Sequence, residues 1–192
     1  IFVALIGIGS FNNRANAGQP EPPAPTARAG QLSAGVAKVE ITNKNVLPVN
    51  DPLYVKALVL KKSATTTVIV TVDAVAIGEI GYIGNDYLGK VRGRVLKELG
   101  IVPENVIVNA SHCHAKPCAD IEDKTVQAIK EAAKSMVPVT VGVGVGFENR
   151  ISENRRLKLK SGREVDVRHA YSLPPDDEIA EVGPIDPHIG IL

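Results

Sequence analysis

Tryptophan is missing from this sequence, methionine occurs once, and aromatic residues make up only 4% of its 192 positions. Recognition by stacking on bases therefore has little to build on. Lys+Arg number 22 against 21 Asp+Glu, with a formal net charge of +1, so the cationic excess of a nucleic-acid binder is also lacking. Nucleic acid is excluded as a partner. Two cysteines are too few for a disulfide-stapled scaffold. The apolar opening run, residues 1–9, is too short to cross a bilayer.

That run, Ile1-Phe2-Val3-Ala4-Leu5-Ile6-Gly7-Ile8-Gly9, reads instead as the tail of a signal-peptide hydrophobic region. Ala15-Asn16-Ala17 supplies the small-x-small pattern that signal peptidase accepts, so the mature start is placed near Gly18. Residues 1–17 are thus a signal-peptide remnant, and the chain is expected to be secreted or periplasmic. Residues 18–32 are rich in proline and alanine with almost nothing to bury, an extended linker. Residues 33–192 have the composition of a globular domain, the N-terminal part of a larger catalytic domain. The missing initial methionine and an ending on what looks like the start of a strand suggest a fragment truncated at both ends. No internal repeat is present.

Residues 34–41, 53–60 and 67–72 read as strands, the last two as β-branched runs bounded by turn residues. Tyr87, Leu88, Val91, Val95, Leu96 and Leu99 recur at helical spacing, and Gly100 stands where a helix C-cap belongs. Residues 106–110 form a short apolar strand. Val126, Ile129, Ala133 and Met136 mark a second helix ended before Pro138. The Val/Gly alternation of 139–146 suits a strand lying close against other backbone. Residues 157–167 make a hairpin around Ser161-Gly162, and 185–192 begin another strand. The order predicts an α/β fold, a mixed β-sheet with flanking helices and a β-hairpin, incomplete at the C-terminus.

Chemistry concentrates in Asn109-Ala110-Ser111-His112-Cys113-His114-Ala115-Lys116-Pro117-Cys118, which leaves the carboxyl end of an apolar strand, where ligands gather in α/β sheets. Histidines at i and i+2 on an extended segment project to the same side and can address one metal or one water. Cys113 and Cys118 are metal ligands, a local disulfide or free thiols. Cys113 beside two imidazoles is also a candidate nucleophile. Asp73, ending the strand at 67–72, either orients a histidine from behind or caps a turn. Asp120, Glu122 and Asp123 read as cap and first-turn acids of the second helix. His169 and His188 stand alone, as structural or surface residues. Arg155, in Asn154-Arg155-Arg156, belongs to a solvated cluster unless it is aimed into a site.

Four blocks carry a resemblance: residues 34–42, Val70-Thr71-Val72-Asp73, residues 105–117 around His112-Cys113-His114, and Glu153-Asn154-Arg155. In order and kind they resemble the N-terminal catalytic domain of neutral/alkaline non-lysosomal ceramidases. The resemblance implies a zinc-dependent hydrolase of a lipid amide such as N-acylsphingosine. It implies zinc on His112, His114 over the substrate amide and Arg155 at the site. It places the remaining ligands, a histidine, a glutamate and a tyrosine, beyond the segment resembling 185–192. A small-molecule amide or lipid substrate and a peripheral membrane-surface contact to reach it follow from the same likeness. The loop departs from the family's His-Thr-His-Ser-Gly-Pro at Cys113, Ala115 and Lys116. The rival expectations are an exported non-catalytic binding protein that keeps the fold, and a cysteine-dependent hydrolase using Cys113.

Overall fold

The computed structural model describes residues 2–3, 30–46, 48–167 and 173–192. Ala15-Asn16-Ala17, most of the linker and His169 lie outside the described residues. The chain divides into two compact units, one of residues 18–140 and one of residues 1–17 with 141–192. Among the described residues no helix is long and apolar enough to cross a membrane. In chain order the elements are β1 (Phe2–Val3), β2 (Ser33–Glu40), β3 (Tyr54–Lys62), β4 (Thr65–Val72), α1 (Tyr87–Leu99), β5 (Val106–Ala110), α2 (Ile121–Lys134) and β6 (Val137–Pro138). They continue with β7 (Gly144–Phe147), β8 (Arg156–Leu159), β9 (Glu164–Asp166), β10 (Ile179–Val182) and β11 (His188–Ile191).

The larger unit is a five-stranded sheet in the order β5-β4-β3-β2-β6. Three antiparallel strands, β2, β3 and β4, follow one another, and α1 then carries the chain to β5, which pairs parallel with β4. The fold is α/β with a mixed sheet, as the element order predicts. Alternation decides which face is covered. Val55, Ala57 and Val59 of β3 and Val68, Val70 and Val72 of β4 are buried on one face. Burial of each valine contributes about 1.5 kcal/mol or more. Tyr87, Val91 and Val95 of α1, with Ile121, Ala128, Ile129 and Ala132 of α2, complete this core. The Tyr87 hydroxyl is satisfied by Thr125 Oγ1 at 2.7 Å, as a buried phenol requires. Burial pushes its pKa up to about 12.

Local chemistry explains the ends. Gly100 takes φ 67°, and its N–H donates to the Leu96 carbonyl, stopping α1 as a left-handed glycine cap does. The Arg92 guanidinium donates through Nε and Nη2 to the Val106 carbonyl at 3.1 and 2.8 Å, tying α1 to the start of β5. α2 lies so close to β2 that a Cβ on Gly35 would fall 1.9 Å from the Ala132 carbonyl oxygen.

In the smaller unit β10, β8 and β9 form an antiparallel sheet, and β1, β11 and β7 form a mixed one in which β1 runs parallel to β11 and β7 antiparallel to it. The β8–β9 hairpin stands where alternation predicts it, with Gly162 at φ 83° in its turn. The strand expected over 139–146 is shorter and later, Gly144–Phe147. Of its glycines, Gly146 packs against Ile189 of β11, whereas Gly142 and Gly144 have nothing within 4 Å of a built Cβ. The close backbone approach that would favour a long strand exists at one position.

The Gly35 contact yields a paired prediction. Gly35→Ala should lower the urea midpoint, at a cost of about 2 kcal/mol, because a backbone carbonyl cannot move aside as a side chain can. Gly93→Ala, in α1 with open space around it, should raise the midpoint, with a gain of about 0.5–1 kcal/mol in stability through helix propensity. Equal effects at the two sites would mean that α2 is not seated on β2.

Candidate active site

The site is built from two loops that leave the carboxyl ends of the parallel pair β4 and β5. Their pairing extends one step beyond the strands, since Ser111 N–H donates to the Val72 carbonyl at 2.9 Å. Asp73 follows Val72 and acts as a hub. Its Oδ2 accepts from Tyr54 N–H at 3.0 Å, both oxygens take Lys56 Nζ at 3.2 Å, and Oδ1 accepts from Ser111 Oγ at 3.0 Å. The carboxylate, only 14% exposed, thus joins β3, β4 and the histidine loop.

Beyond Ser111 the backbone turns into the left-handed region, with His112 at φ 62°. A non-glycine residue there is uncommon, though histidine tolerates it better than most. The turn carries the His112 ring to the loop after β4, where Nδ1 lies 2.9 Å from the Val75 carbonyl. A carbonyl only accepts, so Nδ1 carries a proton, and in the neutral ring Nε2 is the nitrogen that holds the lone pair. His114 meets His112 edge to face, with centroids 4.9 Å apart and planes at 79°. Both histidines are exposed. The i, i+2 expectation that they share a side agrees with this contact, although the segment is a loop rather than a strand.

Between and after them the alternate residues turn inward. Cys113, Ala115 and Cys118 pack against the hydrophobic core, and both thiols are free. Pro117 is buried and bridges Thr42, while Cys118 N–H donates to the Ile41 carbonyl at 2.8 Å, so the loop is pinned at its far end to the end of β2. Burial pushes the Cys118 thiol up to about 11, helped by its bond to the Asp120 carboxylate. That same bond holds Asp120 below the usual carboxylate range.

Asp73 contacts Ser111, not a histidine, and the group behind His112 is the Val75 carbonyl. Asp120 occupies the N-cap of α2 but makes no side-chain cap bond; its oxygens serve Cys118 and Lys124 instead. Glu122 and Asp123 pair with Arg94 of α1 at 3.3 and 2.7 Å, linking the two helices. Arg155 is exposed, directly before β8 in the smaller unit. In that unit the exposed His188 pairs with Asp186 at 2.8 Å and meets Phe147 edge on. Ser111, Lys56 and the Val75 carbonyl were missed by the reading of the sequence. Ser111 adjoins the histidine motif and was findable, but a carbonyl has no residue type to betray it.

The donor set suits one metal ligand well. An imidazole fixed through Nδ1–H to a backbone carbonyl and offering Nε2 is the usual arrangement of a zinc-binding histidine. Among the described residues no three His, Cys, Asp or Glu side chains come together to hold an ion, whereas catalytic zinc ordinarily takes three protein ligands. His112 fits as one member of such a set, with His114 beside it.

The Cys118 environment is testable by alkylation. Its reaction with iodoacetamide should reach half its limiting rate near pH 11; a midpoint near 9 would mean that the thiol is solvated. The fold favours the neutral thiol, so its contribution to stability is present below about pH 9 and is lost as pH rises towards 11. Cys118→Ser should flatten that part of the stability profile.

No family model matches the chain, and no curated protein matches it. Solved structures do. Neutral ceramidase from Pseudomonas aeruginosa is 20% identical over 65% of this chain and 25% of its own, with a TM-score of 0.54. A ceramidase complexed with C2 is 20% identical over 65% of this chain and 24% of its own, with a TM-score of 0.53. The chain therefore spans about a quarter of the length of these ceramidases, and what it shares with them is a ceramidase-like fold.

Proposed function

We propose that the chain is part of a zinc-dependent amidohydrolase acting on a lipid amide. The observation that carries this reading is the His112–His114 pair at the carboxyl end of β5, with His112 Nδ1 committed to the Val75 carbonyl and Nε2 free. Zinc, when bound, would supply a Lewis-acidic centre that activates water near neutral pH. His112 would hold it through Nε2. His114, exposed and in contact with the His112 ring, would donate to the amide carbonyl oxygen as negative charge develops there. Arg155 is the further donor in this proposal, its planar guanidinium offering two parallel N–H groups to an oxyanion.

Export by the segment 1–17, with 18–32 as a spacer, belongs to the same proposal, as does a peripheral encounter with a membrane surface that presents the lipid. The rival reading, a non-catalytic binding protein with this fold, draws on the lack of a third donor near His112 among the described residues. A cysteine-dependent mechanism is disfavoured by the packing of the half-buried Cys113 against the core.

Zinc content and hydrolysis of N-acylsphingosine by the full-length protein separate these readings. His112→Ala should remove both zinc and hydrolysis. His114→Ala should reduce turnover on the order of a hundredfold and leave most of the zinc. Arg155→Lys should resemble His114→Ala in kind. If His114→Ala strips the metal as completely as His112→Ala, both histidines are ligands. A zinc-free, inactive protein points to the binding reading, and activity that survives chelator but not thiol alkylation points to Cys113.

A further inference from the structure

Near the histidine loop four acidic side chains have cations of their own, while Glu79, in the loop after β4, accepts from the Asn85 side-chain amide at 2.9 Å. Asp73 holds Lys56, Asp120 faces Lys124 at 3.9 Å, and Glu122 and Asp123 share Arg94. Lys116 differs, for it is exposed and forms no ion pair among the described residues. It follows His114 by two residues, a backbone span of about 7 Å at most.

The ammonium is nevertheless held. Nζ stands 5.0 Å from the centroid of the Tyr82 ring. The stem runs over Gly81, where an added Cβ would come within 3.6 Å of Cγ and 3.9 Å of Cε. Tyr82 and Gly81 belong to the same loop after β4 that supplies the Val75 carbonyl to His112. An aromatic face attracts a cation without neutralising it, so the charge stays available to a ligand. Because ring and stem already restrict the lysine, less rotamer freedom is lost when an anion arrives.

We infer that Lys116, held on Tyr82, forms an anion-selecting rim beside the histidine pair, suited to amides that carry a carboxylate near the scissile bond and an apolar acyl chain, as an N-acyl amino acid does. The inference rests on the amidohydrolase reading for the identity of the reacting bond. The half-exposed Tyr82 ring offers the acyl chain an apolar surface next to the charge.

N-octanoylglycine and its neutral counterpart N-octanoylglycinamide, titrated into the whole chain and followed by amide NMR shifts of residues 111–118, test it. The acid should bind up to about fivefold more tightly than the amide, the range of a partly exposed ion pair, and the preference should shrink in 0.5 M salt. Lys116→Met should abolish the ratio between the two probes and Lys116→Arg should keep it. Equal affinities, a ratio unchanged in Lys116→Met, or no binding of either probe would overturn the inference. Hydrolysis of both probes by the full-length protein is scored beside binding. Preferential binding without hydrolysis counts against the amidohydrolase reading and leaves the rim standing; equal hydrolysis without preference does the reverse.

Discussion

The parallel pairing of β4 with β5 is the constraint from which the site follows. Val72 stands opposite Ala110, so the chain leaves both strands at the same level and in the same direction. Two loops distant in sequence are thereby set side by side, and the hydrogen bond from Ser111 to the Val72 carbonyl carries the register one residue into them. A slip of one residue would send Val68, Val70 and Val72 to the open face and turn Thr67, Ile69 and Thr71 towards the core, a change that loses apolar burial and brings two hydroxyls inside. The core thus fixes the register, and the register fixes where His112 begins.

Most of this was legible in the residues, because strands and helices write their periods into apolar positions. The β-branched run before Asp73, the short Val-Ile-Val strand and the glycine that ends α1 each follow from backbone preference or from burial on one face. Their adjacency follows from the crossover rule for a strand-helix-strand unit. What was not legible is the commitment of individual polar groups. Asp73 could have faced a histidine, but Tyr54, Lys56 and Ser111 already fill its acceptor sites. Asp120 could have capped α2, yet a half-buried thiol and Lys124 compete for it. Such choices depend on angstrom-scale distances between elements, and no spacing in one sequence encodes them. The Val/Gly segment fails differently. Its alternation is real, but a strand needs a partner, and only residues 144–147 find one in β11.

The loop itself balances rigidity against exposure. Its inward residues are anchored, Cys113 and Ala115 by packing and Pro117 and Cys118 by the end of β2. Its outward residues, both histidines and Lys116, are exposed. Alternation in an irregular segment is achieved here by contacts at each inward step and not by a ladder. Polar functional groups are therefore presented on a frame that hydrophobic burial holds still, which is how a site gains geometric definition without burying its own charge.

The left-handed backbone at His112 shows what that frame is for. The conformation costs on the order of 1 kcal/mol for a residue with a Cβ, and it persists because the structure on both sides over-determines it. Ser111 is held through its N–H by Val72 and through its hydroxyl by Asp73, and the imidazole beyond is held by Val75. Three hydrogen bonds at about 0.5–1.5 kcal/mol each exceed the local strain. Glycine would remove that strain but also the ring, and a right-handed turn would keep the ring but point it elsewhere. The sequence retains a strained histidine whose Nδ1 is already occupied, so the one ring nitrogen left to a ligand is Nε2, directed by the backbone before any ligand arrives.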